Sequence, residues 1–356
     1  MDLTCRSVLI IIFLQLSFAV CIFVNFNWNR LSLITFSSEY FNYNRATEQV
    51  ISVKKQNVNK SVMILVWNWP FGKRFTTDKC DVWFNITGCY FTDDRNLYPQ
   101  ANAVVIHHQN VCHSMKYLPE GERPLLQRWI WFNNESPSHS PNLELMNNLF
   151  NLTMTYRRDS DIFAPYGVLE MTKELKNYSV PKKDKLVAWV ISNWNPNSRR
   201  VQYYEELRKF INIDLYGTSH QSLDQKLLFS TISQYKFYLS FENSIHTDYI
   251  TEKLWKNAFE SGAVPVVLGP SRENYEHFIP PDSFIHTDDF GTAEQMAKYL
   301  LELDKDEKKY RKYFAWRQHF VPKPFNDANY FCKACNAVKI MSDYKTVKDL
   351  ARWFRS

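Results

Sequence analysis

The chain has 356 residues, enough for two domains of ordinary size, and its 45% hydrophobic content is ample for buried cores, which excludes disorder as the default state. Its net charge of +6 comes from 43 basic and 37 acidic residues spread along the sequence, without the basic block of a nucleic-acid binder. The eight glycines form no G-x-G pair, so neither the dinucleotide fingerprint nor the phosphate-cradling P-loop is present, and a nucleotide must be gripped by side chains and helix ends.

Residues 7–24 are apolar apart from Ser7, Gln15 and Ser17, just long enough to cross a bilayer as a helix. A cleaved signal peptide is the competing reading. The length of the run, and the bulky Phe23, Val24, Asn25 and Phe26 in place of a small-residue cleavage site, favour a retained signal anchor over residues 7–26. The short tail, residues 1–6, then lies in the cytosol and the body in the lumen. Sequons at Asn59, Asn85, Asn134, Asn151 and Asn177 agree with a lumenal body, with Asn134 expected to be unused because Pro137 follows its Ser136. Residues 27–60, polar and asparagine-rich, read as a stem.

Strand-like runs follow at 62–67, 81–86, 103–107, 129–132 and 152–156, separated by polar or proline-containing loops, and suggest a first α/β domain over 61–178. The hydrophilic stretch 173–185 marks the boundary. A second domain, 179–325, opens with a strand at 186–192, the loop Asn193-Trp194-Asn195-Pro196-Asn197, a helix capped by Ser198 that carries Arg199, Arg200 and Tyr204 to Phe210, and a strand at 213–216. Residues 237–269 then read as strand, polar break, a helix N-capped by Asp248 and ended by Gly262, and a buried parallel strand at 263–268. Residues 293–318 read as one or two helices that cover this domain, and 326–356 as a segment returning to the first.

Alternating strands and helices make a doubly wound pattern, whose ligands lie beyond the carboxyl ends of the strands. Glu242, Asn243, Glu252 and Lys253 therefore come to a rim suited to a phosphate or ribose. The plainer alternative is a surface helix with an ordinary pair between Glu252 and Lys256. Cys5 and Cys21 belong to the tail and membrane segment, leaving Cys80, Cys89, Cys112, Cys332 and Cys335 for the lumen. A Cys₄ zinc site is one reading of the two close pairs, but the gap between Cys80 and Cys89 exceeds zinc-knuckle spacing and an oxidising lumen favours disulfides. Cys112 reads as a packed core thiol.

The text FYLSFENS, then DYITEKL, then AVPVVLG within 237–269 resembles the donor-binding signature of the α-1,3-fucosyltransferases, glycosyltransferase family ten. LFNLTMTYRRDSD at 149–161 is similar to family text. Trp131-Phe132-Asn133-Asn134-Glu135-Ser136-Pro137 resembles the acceptor-side W-x-N-x-E-S-P segment, so the likeness spans the chain from about Ser61 onward. It implies a GT-B fold, with two Rossmann-like domains facing a cleft behind a single transmembrane helix and stem. It also implies an inverting enzyme that moves L-fucose from GDP-fucose to the 3-hydroxyl of GlcNAc in lactosamine-type glycans on glycoproteins or glycolipids. The setting it implies is the Golgi membrane, single-pass type II, with no required cofactor, manganese being at most a stimulant. Fucosylation of another acceptor such as core chitobiose, or a non-catalytic lumenal glycan-binding protein of the same fold, are the alternatives.

Inverting transfer needs a base for the acceptor hydroxyl and cations for the departing diphosphate. The resemblance gives the first role to Glu135, on residues alone a solvated loop glutamate. Lys253 and Arg200 neutralise the diphosphate and Glu252 accepts from ribose hydroxyls. Tyr166, Val190, Ser192, Asn193, Tyr238 and Asn243 fall at positions that contact GDP or fucose, although Tyr166 and Tyr238 read equally well as core or rim aromatics. Asp159-Ser160-Asp161 spells the D-x-D triplet of metal-dependent glycosyltransferases; Arg157 and Arg158 precede it, and it is read as structural, so no metal site is assigned. His107 and His108, adjacent on a strand, point to opposite faces, which prevents simple joint ligation. The likeness puts them at the acceptor pocket, where Gln109 departs from the Trp or Arg associated with the choice between type 1 and type 2 chains. It also implies bridges from the Cys80/Cys89 region to the Cys332/Cys335 pair, a vicinal Cys332 to Cys335 bridge being the alternative.

Overall fold

The computed structural model describes residues 61–356 except 78 and 326; the expected tail, anchor and stem, with Asn59, lie outside the described residues. Among the described residues no helix is long and apolar enough to cross a membrane.

Six strands, β1 (Val62–Val66), β2 (Cys89–Thr92), β3 (Ala103–His107), β4 (Arg128–Asn133), β5 (Leu152–Thr155) and β6 (Ile162–Phe163), form a parallel sheet in the order β2-β1-β3-β4-β5-β6. β1, β3 and β4 read as near-continuous apolar runs because both faces are covered. Ile64, Val105, Phe132 and Met154 pack against Phe331, Ala334 and Val338 of the helix Asp327–Ile340. On the other face Leu65, Val104 and Trp131 meet Phe150, with Leu350 and Phe354 of the helix Leu350–Arg355. Of residues 81–86, expected as a strand, all but Ile86 instead lie in the helix Cys80–Phe84 and its left-handed cap Asn85. Cys80 is bonded there to Cys332, so the segment lies against a helix rather than in the sheet, and the edge of the sheet is taken by β2.

Cys89 is bonded to Cys335, so each member of one close pair is bridged to a member of the other, which rules out the vicinal bridge and the shared zinc site. Cys112 is free and buried.

β7 (Gly167–Met171) leads away from the first sheet. Its Gly167 is required: a Cβ there would come within 2.5 Å of the Trp255 ring. The second sheet is also parallel, β8 (Lys185–Val190), β9 (Asp214–Tyr216), β10 (Tyr235–Phe241), β11 (Val264–Leu268) and β12 (Ile285–His286), in the order β12-β11-β10-β8-β9. One face, with Val187, Trp189, Phe237, Leu239 and Val266, is covered by the helices Arg199–Leu207, Ala293–Lys305 and Glu307–Lys312. The chain then returns through β13 (Phe320–Pro324), antiparallel to β7, to deliver its last helices to the first sheet.

Two caps differ from expectation. Ser198 stands at the N-cap position of Arg199–Leu207, but its hydroxyl donates to the Asn195 carbonyl. Asp248 does not start a helix: it is left-handed, φ 62°, and its carboxylate accepts from the Arg158 amide and Asn274 Nδ2, each at 2.8 Å. The helix is a π-helix, Lys253–Glu260, with Glu252 at its N-cap. Its ends are fixed, by Thr251 held on Glu242 and by Gly262, φ 67°, leading into β11. The wider turn, seen in the Ala263 amide donating to the Ala258 carbonyl five residues back, takes up the extra length between those points. Glu252 bonds the adjacent Lys253 rather than Lys256, the pair of the plainer alternative.

Candidate active site

In a doubly wound sheet the crevice opens where strand order reverses, between β1 and β3 in the first sheet and between β8 and β10 in the second. The second crevice gathers the candidate donor residues. Val190 closes β8, and Ser192 and Asn193 are exposed on the loop beyond it. Arg200, at the start of the next helix, donates through Nη2 to the Asn193 carbonyl at 2.6 Å, while its Nε is buried without a partner. Burial lowers its pKa, with Glu242, Tyr249 and Glu252 acting the other way.

Beyond β10, the Glu242 side chain is fully buried, accepts from the Thr251 amide at 2.8 Å and lies 3.1 Å from Lys253 Nζ. Glu252 is 3.1 Å from the same ammonium. Burial alone would lower the Lys253 pKa, yet the two carboxylates outweigh it and hold the ammonium above the ordinary lysine range. For Glu252, burial raises and Lys253 lowers, with Lys253 prevailing. Asn243 accepts from the Ser244 hydroxyl through Oδ1 at 3.1 Å. Tyr238 sits within the wall beneath: its hydroxyl takes a 3.0 Å bond from Asn257 Nδ2 and bonds the Val190 backbone.

Across the cleft, the loop after β4 presents Glu135. Asn133 fixes that loop, donating to the Ser140 hydroxyl at 2.8 Å and accepting the Glu135 amide at 3.1 Å. Tyr166 braces it from below, its hydroxyl donating to the Asn134 carbonyl at 2.5 Å. The Glu135 carboxyl is half-buried, and that burial raises its pKa; His139, Lys253 and a hydrogen bond from Tyr249 oppose the rise, and Glu252 adds to it. Glu135, Tyr166, Arg200, Tyr238, Glu252 and Lys253 thus share one electrostatic neighbourhood. Sequence reasoning missed one member and misplaced another. Tyr249, packed at 5.1 Å on Tyr156, reaches Glu135 from the opposite domain, and Glu242 is a buried anchor rather than a rim group. Both lie inside the 237–269 text, whose density of polar residues was the available signal.

The first crevice holds Phe71, 64% exposed and left-handed at φ 51°, with its ring 5.1 Å from that of His107. His107 Nδ1 faces Asn110 Oδ1 at 2.5 Å, while His108 bonds the Pro141 carbonyl at 3.0 Å and Trp131 Nε1 at 3.3 Å, so the two imidazoles share no ligand position. Burial lowers both pKa values, that of His108 to about 4. Gln109 donates to the His139 carbonyl at 2.7 Å, tying this crevice to the loop of Glu135.

The D-x-D carboxylates are committed elsewhere. Asp159 takes two 2.8 Å bonds from Arg157 and one of 2.9 Å from Trp353 Nε1; Asp161 accepts from the Thr153 amide and hydroxyl and pairs with Lys345. They pin the C-terminal segment to the first domain. Among the described residues no group of three or more His, Cys, Asp or Glu side chains is placed to hold a metal ion. A depression of about 470 Å³ beside residues 245–247, lined by His246, Glu273, His277 and Arg355 among others, shares no residue with the grouping around Lys253.

Two doubly wound parallel sheets, with cations at the carboxyl ends of one and a half-buried carboxyl opposite, make a fold of GT-B type. Residues 59–167 match the family described as "Fucosyltransferase, N-terminal", and residues 180–353 match "Glycosyltransferase family 10 (fucosyltransferase) C-term". The chain belongs to glycosyltransferase family 10, the fucosyltransferases. It is 52% identical over 303 residues, 85% of this chain and 84% of the relative, to 4-galactosyl-N-acetylglucosaminide 3-alpha-L-fucosyltransferase 9 of Rattus norvegicus. It is 51% identical over 297 residues, 82% of each chain, to 4-galactosyl-N-acetylglucosaminide 3-alpha-L-fucosyltransferase FUT6 of Homo sapiens. A crystal structure of an alpha1,3-fucosyltransferase with GDP-fucose shares the fold, with a TM-score of 0.52 at 19% identity over 81% of this chain and 94% of that one.

Proposed function

We propose that the protein moves L-fucose from GDP-fucose to the 3-hydroxyl of GlcNAc in lactosamine-type glycans, with inversion at the anomeric carbon. The observation that carries this reading is the placement of Glu135, from the first domain, within the electrostatic reach of Lys253, from the second. The acceptor oxygen bonds to the anomeric carbon as its proton passes to the Glu135 carboxylate, and the bond from that carbon to the diphosphate oxygen breaks, leaving GDP with the electron pair. Lys253 and Arg200 take up the charge of the leaving diphosphate, and the half-buried setting strengthens both effects. Glu252 accepts from the ribose, and Tyr166, Val190, Ser192, Asn193, Tyr238 and Asn243 shape the donor pocket. No metal is required, the two cations serving in its place. The activity for which these relatives are named supports the acceptor and linkage. The sequence of residues 1–26 and the sequons support a type II Golgi membrane protein with a lumenal catalytic body.

An array of glycan acceptors incubated with labelled GDP-fucose tests this. Label should appear on lactosamine-type acceptors, at the GlcNAc 3-position. Transfer confined to chitobiose cores, or no transfer to any acceptor, sinks the reading.

A further inference from the structure

The geometry points to Glu242 as a positioning residue for donor use: it is the fixed partner of the Lys253 ammonium, and Glu252 is the exchangeable partner that the donor diphosphate replaces. This rests on the proposed role of Lys253 as a diphosphate grip. An ammonium has three hydrogens to donate, and those of Lys253 meet three acceptors: Glu242 at 3.1 Å, Glu252 at 3.1 Å and the Thr251 hydroxyl at 2.8 Å. A phosphate oxygen can reach this group only by displacing one of them.

The three are unequal. The Glu242 carboxylate has no solvent exposure and also takes the Thr251 amide at 2.8 Å and the Thr251 hydroxyl at 2.9 and 3.0 Å. Removing its cation would strand a buried charge. It has little room to move, because Gly269 lies so close that a Cβ there would stand 3.3 Å from Glu242 Cγ and 2.5 Å from the buried Tyr275 hydroxyl. Glu252, with its side chain 49% exposed, exchanges its cation for water or a ribose hydroxyl at small cost. Donor entry thus frees Glu252 for the sugar while Lys253 stays tethered from behind. The other charged or titratable groups in this neighbourhood are Arg200, Glu135 and the tyrosines Tyr156, Tyr166, Tyr238, Tyr249 and Tyr275.

The test is a double-mutant cycle on the purified protein, reading the dissociation constant of GDP. Lys253→Met alone should weaken GDP by roughly tenfold or more, as expected for loss of a charge-assisted contact. Glu242→Gln alone should weaken it by a similar factor, yet change it less than about twofold when Lys253 is already Met, because its effect passes through the ammonium. Equal loss in both backgrounds overturns the inference and leaves the grip of Lys253 standing. No loss in Lys253→Met removes the grip itself. If Glu242→Gln does not fold, Glu242→Asp, which keeps the charge but draws it back by one methylene, enters the same cycle with the same two outcomes.

Discussion

The hydroxyl of Ser244 donates to that of Ser136 across 2.7 Å, joining the residue after Asn243 on the donor side to the residue after Glu135 on the acceptor side. A second bridge of 2.7 Å joins Ser138 to His246, and the Asp248 carboxylate accepts the Arg158 amide. Glu135 is therefore set against the donor domain by two contacts on its own loop and a third from the loop after β5. The reacting partners are aligned by the fit of the two domains, where small misplacements are expensive.

Glu135→Gln keeps the size and much of the hydrogen bonding of the side chain while removing its basicity. Transfer at saturating acceptor should fall by about 10² to 10⁴, the usual worth of a general base, with GDP affinity and folding retained. Near-parental kcat in this variant places the base elsewhere.

The acid limb of the pH profile reports the same carboxyl. Burial raises its pKa above the ordinary glutamate value, and the base works only when ionised, so activity should be full above that raised pKa and fall as pH drops through it. The Tyr249 hydrogen bond works in the opposite direction. Tyr249→Phe should therefore carry the acid limb of kcat/KM to still higher pH; an unmoved or lowered limb contradicts the contact.

The two disulfides are interleaved, Cys80 with Cys332 and Cys89 with Cys335. While either remains, the long loop stays closed and the other closes only a short additional one. Losing one bridge as a Cys→Ser pair should cost about 3 kcal/mol, and losing both distinctly more than twice that of a single loss. Denaturant titration of the three variants checks the order; simple additivity contradicts the shared loop.

The sequons divide by accessibility. Asn85 and Asn177 are exposed, whereas Asn151 is buried, its Oδ1 accepting the Trp129 amide at 2.8 Å and its Nδ2 donating to the Lys345 carbonyl at 2.6 Å. Glycopeptide mapping after expression in animal cells should find glycans at Asn85 and Asn177 and none at Asn151. Asn151→Ala should instead destabilise the fold by about 1 to 3 kcal/mol through stranded polar groups.

Where strands are buried on both faces, as in Val62–Val66, Ala103–His107 and Val264–Leu268, apolar runs made them legible in the sequence. The helix Cys80–Phe84 was misread because its place follows from a bond to a cysteine that arrives only at 332, which no local pattern carries. β2 was missed because, at a sheet edge with Tyr90 half exposed, it lacks the apolar signature of its neighbours. Asp248 misled for another reason: it has the chemistry of a cap but uses it on Arg158 across the domain interface and on Asn274 of its own domain. Of the site, the rim position of Lys253 followed from the strand-helix-strand pattern, whereas Glu135 rested on family resemblance, since nothing local distinguishes it from a solvated glutamate.

The helices Asp327–Ile340 and Leu350–Arg355 cover opposite faces of a sheet whose own strands end at Phe163. Order of synthesis and order of folding therefore diverge. The second sheet, complete by His286, can close over its core while the first still waits for residues made long after it. Cys80 and Cys89 wait as well, unable to find Cys332 and Cys335 until those emerge. A chain halted before residue 327 would hold a finished donor half and an unfinished acceptor half, so the half that carries Glu135 is the last to become a protein.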